Sequence, residues 1–187
     1  MSAFYKILVV AFIFSSCHAT TSLFQENTDD WNQIGDAIWT SMDGELTGRA
    51  DDQAGYLVTR QHYTDFILEL EFHPDATINS GVFLRCRTST EIDPDNCYEL
   101  NIWDAHPNQD NATGAVVRRA APLTKVATID RWNTYRLEVR GNHLQAWIND
   151  VPVADLRDDD LSGGHIALQA RETGTVRFRR VRIRDLK

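Results

Sequence analysis

The segment Tyr98-Glu99-Leu100-Asn101-Ile102-Trp103-Asp104 holds the densest group of side chains able to do chemistry. Read as a strand, it puts Glu99, Asn101 and Trp103 on one face and Tyr98, Leu100 and Ile102 on the other, because side chains alternate along extended backbone. A carboxylate, an amide and an indole on one side make a sugar-binding surface. The indole stacks on the apolar face of a pyranose, and the polar pair bonds to its hydroxyls. The competing reading is an ordinary exposed strand with one acidic residue. A sandwich-type retaining glycosidase needs two carboxylates close together on such a face. Positions 99, 101 and 103 supply one, and Asp104 has the wrong parity unless the strand ends or bulges before it. A standard two-carboxylate hydrolase is therefore not expected on this strand.

Other catalytic signatures are missing. The chain has no Gly-Lys phosphate loop, no serine nucleophile elbow and no paired-histidine metal motif. The net charge of −8 argues against a nucleic-acid partner. The one basic run, Arg177, Arg179, Arg180, Arg182 and Arg184, is interleaved with Val176, Phe178, Val181 and Ile183. That alternation reads as the solvated face of a strand.

The same two-residue period runs through the rest of the chain and specifies what must position the cluster. Phe66, Leu68, Leu70 and Phe72 share one face of a strand that turns Glu69 and Glu71 outward. Further strands are read at Gly81 to Arg87, Tyr98 to Trp103, Tyr135 to Val139, Asn142 to Ile148, His165 to Ala170 and Thr175 to Arg184. Arg140-Gly141-Asn142 links two of them as a hairpin, and Asn149-Asp150 offers a second turn. In the last strand Phe178 is out of phase with Val181 and Ile183, which predicts a β-bulge. Short strands joined by Gly, Asp and Asn turns, without βαβ units, predict an all-β antiparallel two-sheet sandwich, a single domain over residues 20–187.

Residues 1–19 read as a signal peptide: Lys6 precedes the apolar run Ile7 to Phe14, which is too short to span a membrane. Two cleavage readings stand. Phe14-Ser15-Ser16-Cys17 resembles a bacterial lipobox, which makes Cys17 the lipidated first residue and a lipid anchor the one membrane attachment. Cleavage after Ala19 gives a soluble secreted form instead. The chain is expected in the periplasm, at the outer membrane as a lipoprotein, or outside the cell. Setting Cys17 aside leaves Cys86 and Cys97, an even pair in an oxidising compartment, expected as a disulfide across Arg87 to Asn96.

Several stretches together resemble the bacterial 3-keto-disaccharide hydrolase family. They are Gly55-Tyr56-Leu57, Asp65-Phe66, Asn79 to Arg85, Tyr98 to Asp104, Thr113-Gly114-Ala115, Arg131-Trp132-Asn133, Trp147-Ile148-Asn149, and Gly164 to Gln169 followed by Phe178-Arg179. Each is short; their order and their spread over about residues 24–186 carry the likeness. The resemblance implies a concanavalin A-like jelly roll with a ligand cleft on its concave sheet, and activity on glycosides oxidised at C3. A keto group at C3 acidifies the C2 proton, so one base can start an elimination without an acid–nucleophile pair. The resemblance makes Glu99 the base or a metal ligand, with a divalent metal as the cofactor this would call for. It makes Arg85 an oxyanion or hydroxyl contact and puts Asp104 beside them. Asn79 and Asn101 join Trp103 as substrate-binding residues. Relatives carry His where Arg171 stands here, which keeps a non-catalytic carbohydrate-binding sandwich as the rival reading. One tension accompanies the assignment. If Cys86 lies directly opposite Cys97, Leu84 shares the face of Glu99 and Arg85 turns away; Arg85 joins the site only if a bulge intervenes or the disulfide lies beyond the ladder.

Overall fold

The computed structural model describes residues 19–24 and 28–186; residues 1–18 of the predicted signal segment, with Cys17, lie outside the described residues. Among the described residues thirteen strands follow in order: β1 (Thr20–Ser22), β2 (Trp31–Gly35), β3 (Ile38–Met42), β4 (Glu45–Asp51), β5 (Gly55–Thr59), β6 (Phe66–Pro74), β7 (Asn79–Cys86), β8 (Tyr98–Ile102), β9 (Asn133–Arg140), β10 (His143–Ile148), β11 (Val151–Arg157), β12 (His165–Arg171) and β13 (Thr173–Asp185). A single 3-10 turn at Gln109–Asn111 is the only helical element among them. The strands form two antiparallel sheets. One has the order β11-β10-β9-β6-β13-β4-β3, with β1 added to β13; the other has the order β2-β5-β12-β7-β8. This is the two-sheet sandwich that the alternation predicts.

The core lies between the sheets, because each strand turns its apolar parity inward. Phe66, Leu68, Phe72, Leu137 and Phe178 come from the larger sheet and meet Leu57, Val82, Leu84, Leu100 and Leu168 from the smaller. Each such side chain contributes about 1.5–3 kcal/mol by leaving water. Local signals also behave as their chemistry dictates. Asn149 and Asp150 both adopt positive φ (51° and 64°), the conformation of a two-residue type I′ hairpin. The bulge expected in β13 lies between Arg179 and Arg182, where the register to β6 shifts and Arg180 takes φ 53°.

The smaller sheet carries a second apolar cluster on its outer face, formed by Val58, Phe83, Cys86, Ile92, Cys97 and Ala167. Cys86 and Cys97 are joined as a disulfide. That bond holds the loop 87–97 against the outer face and makes it a wall rather than a free excursion.

Candidate functional site

The register of the smaller sheet assembles the site. One cross-strand row runs Tyr56, Gln169, Gly81, Asn101; the next runs Val58, Ala167, Phe83, Glu99. Arg171 and Asn79 face each other one step further along. Since these residues share strand parity, all their side chains leave on the outer face. The Cys86–Cys97 loop walls the floor on one side with Ile92, Asp93 and Pro94, and the segment after β8 walls it on the other with Trp103, His106 and Arg118. The result is a cleft of about 360 Å³. Glu99, Asn79, Asn101 and Trp103, four of the residues singled out by the sequence, meet in it.

Glu99 is only 8% exposed. Burial pushes its carboxyl up to about 7; Arg171 and Arg118 pull against this and Asp93 adds to it. A carboxyl poised near neutrality can take a proton and give it back, which is what general acid–base work requires. Asp93, on the opposite wall, goes the other way. Its own burial would raise it, but hydrogen bonds from the backbone and side chain of Asn96 and from the Asp95 N–H hold it below the usual carboxylate range. Of these two carboxylates, Asp93 is held ionised and Glu99 stands near its titration point.

Two other groups in the cleft lack partners. The Asn79 Oδ1 and Gln169 Oε1 oxygens are buried and accept no hydrogen bond. The Gln169 Nε2 donates to the Tyr56 hydroxyl at 3.2 Å, which leaves its oxygen on the side away from Tyr56. In Asn101, by contrast, both polar atoms have a partner. Its Nδ2 donates to the Asn111 carbonyl and its Oδ1 accepts from the Ile102 N–H at 3.0 Å, so it ties the following loop to the sheet while lining the cleft. The Trp103 ring meets the His106 ring edge-on with centroids 4.5 Å apart, an aromatic surface at the cleft wall.

Arg85 and Asp104 stand elsewhere. β7 pairs Phe83, not Leu84, with Glu99, while Cys86 still reaches Cys97, so one extra residue is absorbed at Arg85, which takes φ 53°. A bulge does intervene, but it sends the Arg85 side chain away from the cleft. Its Nε and Nη2 donate to the Thr64 carbonyl, its Nη1 to the Gly141 and Leu161 carbonyls, and its Nη2 to Asp65 Oδ1 at 3.0 Å. A guanidinium has five N–H donors, and these bonds use them all, so Arg85 has none for a substrate. Asp104 is a strap. Its Oδ1 accepts from the Thr113 and Thr128 hydroxyls at 2.6 and 2.7 Å, and its Oδ2 accepts from the Thr128 N–H at 2.7 Å. It lines a separate hollow with Lys125 and Ala127. β8 ends at Ile102, so strand parity does not govern Asp104; its carboxylate shapes the loop that carries Trp103 and His106.

Gln169, Arg171, Arg118, Tyr56 and Asp93 were not picked out as site residues. Gln169 was accessible to the period: Ile166, Leu168 and Ala170 point inward, so Ala167 and Gln169 point out. What no local pattern carries is that β12 lies beside β7, which brings Gln169 next to Asn79. Among the described residues no three His, Cys, Asp or Glu side chains converge as a metal-binding group.

Solved structures share the fold over nearly the whole chain. A candidate glycosyl hydrolase from Parabacteroides distasonis matches 90% of this chain and 100% of its own, with 22% identity and a TM-score of 0.76. A second from the same organism has 19% identity over 90% of this chain and 94% of its own, with a TM-score of 0.75. The carbohydrate binding module CBM66 from Bacillus subtilis has 18% identity over 87% of this chain and 99% of its own, with a TM-score of 0.67. No curated protein matches the sequence. The model of the 3-keto-alpha-glucoside-1,2-lyase-like domain matches residues 19–184, and the chain belongs to that family.

Proposed function

We propose that this domain binds a carbohydrate in the cleft on the outer face of its smaller sheet and cleaves the glycosidic bond of 3-keto-glycosides, with Glu99 as the base. The observation that carries the reading is the buried Glu99 carboxyl, pushed up to about 7 in a cleft lined by Trp103, Asn79 and Gln169. The family to which the chain belongs supplies the chemical class of the substrate.

The steps need one base and one nearby positive field. Glu99 takes the proton from C2, and the C–H electron pair moves into the C3 carbonyl as an enolate. The enolate collapses, the C1–O bond breaks, and the departing oxygen takes its electrons and a proton. Water then adds across the C1=C2 bond of the enone and restores the 3-keto sugar. Arg171, which lines the cleft and acts on Glu99, supplies the cation for the enolate oxygen in place of the Arg85 expected from the sequence. The protonated form of Glu99 returns its proton to the leaving oxygen.

The second reading is a carbohydrate-binding sandwich without turnover. It is favoured by the likeness to a carbohydrate binding module and by the loss of Arg85 and Asp104 from the site. Incubation of the mature protein with 3-keto-trehalose separates the two. Release of glucose is expected, and Glu99→Gln should lower it by about two orders of magnitude or more while the fold is kept. Binding without release would establish the module.

The same reading puts the domain outside the cytoplasm, with a leader cleaved before Cys17 and Cys17 as the lipidated terminus. It is supported by the Cys86–Cys97 disulfide, which persists in oxidising compartments.

A further inference from the structure

Buried polar atoms in folded proteins are almost always hydrogen-bonded, so an unpartnered one in a cleft marks a place where something else makes the bond. This cleft has two. Asn79 is 9% exposed and Gln169 is 3% exposed; both line the cleft, and in both the amide oxygen is the atom left without a partner. The two sit on adjacent strands. Asn79 is opposite Arg171, so Gln169, two residues before Arg171 on β12, is its diagonal neighbour on the same face. Diagonal neighbours stand roughly 7–8 Å apart at Cα. The residue directly opposite Gln169 is Gly81, which puts no side chain between them.

Both orphaned atoms accept and cannot donate, which restricts the ligand. A carboxylate, a phosphate or a carbonyl brings only acceptors and cannot bond to these two oxygens. A pair of hydroxyls brings two donors. Resting on the 3-keto-glycoside reading above, the matching pair can be named: the hydroxyls on C2 and C4, which flank the C3 carbonyl and are held apart by it. Two hydroxyls on neighbouring carbons would lie closer together and suit two separately mounted acceptors less well.

We infer that Asn79 and Gln169 are the specificity-determining pair of this site, their amide oxygens accepting the hydroxyl protons at C2 and C4 of a 3-keto pyranose. Tyr56, whose hydroxyl accepts from the Gln169 Nε2, holds the amide so that its oxygen is the atom left without a partner. The pair fixes the ring with C2 and C4 read by the β7–β12 side of the cleft, and leaves the C2 proton to Glu99 on the β8 side.

The test compares glucose release from 3-keto-trehalose with release from its analogue lacking the C4 hydroxyl on the oxidised ring. The wild-type protein should lose about tenfold or more in kcat/KM on the 4-deoxy substrate. Asn79→Leu and Gln169→Leu should each lose a similar factor on the parent substrate; Asn79→Leu, which removes an unpaired buried oxygen, should melt no lower than wild type, and Gln169→Leu, which also removes the bond to the Tyr56 hydroxyl, should melt only slightly lower. One of the two variants, the one that reads C4, should handle the 4-deoxy substrate as well as wild type does. A residue with only a structural role would not produce that cancellation. Equal wild-type rates on the two substrates, or variants that lose equally on both, would overturn the pair while leaving the activity standing. A wild-type protein that releases no glucose from 3-keto-trehalose would bring down the proposed function itself, and this inference with it.

Discussion

Replacing Arg85 by Met tests whether this guanidinium belongs to the site or to the scaffold. Met follows the side chain only as far as the Nε position and lacks the guanidinium carbon and its two terminal nitrogens. What goes is the set of bonds to the Thr64, Gly141 and Leu161 carbonyls and to Asp65. The Leu161 carbonyl sits in a buried residue and would be left unpaired, at about 2 kcal/mol. Thr64 and Gly141 are exposed residues whose carbonyls can return to water, at roughly 0.5 kcal/mol each. The Asp65 side chain is 38% exposed, so its ion pair adds little after screening. The total is about 3 kcal/mol, and for a domain of this size each kcal/mol moves the melting temperature by roughly 2–4 °C. Calorimetry should therefore find Arg85→Met melting about 6–12 °C below wild type. At a temperature where both are folded, its kcat/KM on 3-keto-trehalose should equal that of wild type. A variant with native stability and collapsed activity would refute the reasoning and return Arg85 to the cleft.

Glu99 makes stability and activity run in opposite directions with pH. Its folded pKa, about 7, lies above the ordinary 4.5, so between these values the folded chain holds a proton that the unfolded chain releases. This contribution to stability is fully present below about 4.5 and is lost as pH rises to about 7; thermal melts of wild type should fall across that window relative to Glu99→Gln. Glucose release should instead rise through about pH 7, as the base form appears; a rate flat from pH 5 to 8 would remove Glu99 as the base. Thiol titration of the unfolded, unreduced protein should find Cys86 and Cys97 both blocked, and reduction should cost about 3 kcal/mol by loop entropy. Mass spectrometry of the native protein should show a diacylglyceryl group on Cys17, whereas a chain beginning at Thr20 would establish the soluble form.

The residues of this chain carry their own parity, and parity is local. Alternation through Phe66 to Phe72 and Tyr98 to Ile102 is enough to choose strands, an inward face and the sandwich. It also places Glu99 and Asn101 together, because neighbours two apart on one strand cannot be separated by anything that happens later; Trp103, one residue past β8, joins them from the cleft wall. The phase slip after Phe178 and the turn at Asn149-Asp150 are local in the same way, being matters of φ and of one extra residue. Which strand lies beside which is decided by long-range pairing, and no period in the sequence encodes it. The order β5-β12-β7-β8 is what sets Gln169 beside Asn79 and builds the cleft from both. Arg85 shows how sharp the limit is. A single inserted residue reverses its side chain, and whether the insertion falls before or after it depends on how β7 settles against β8 while Cys86 reaches Cys97. The partners that then saturate it lie 20 to 76 residues away in the chain, at Thr64, Asp65, Gly141 and Leu161. Side-chain chemistry was legible in advance; its assignment to site or scaffold was not, because that depends on which donors and acceptors the folded chain has already paired.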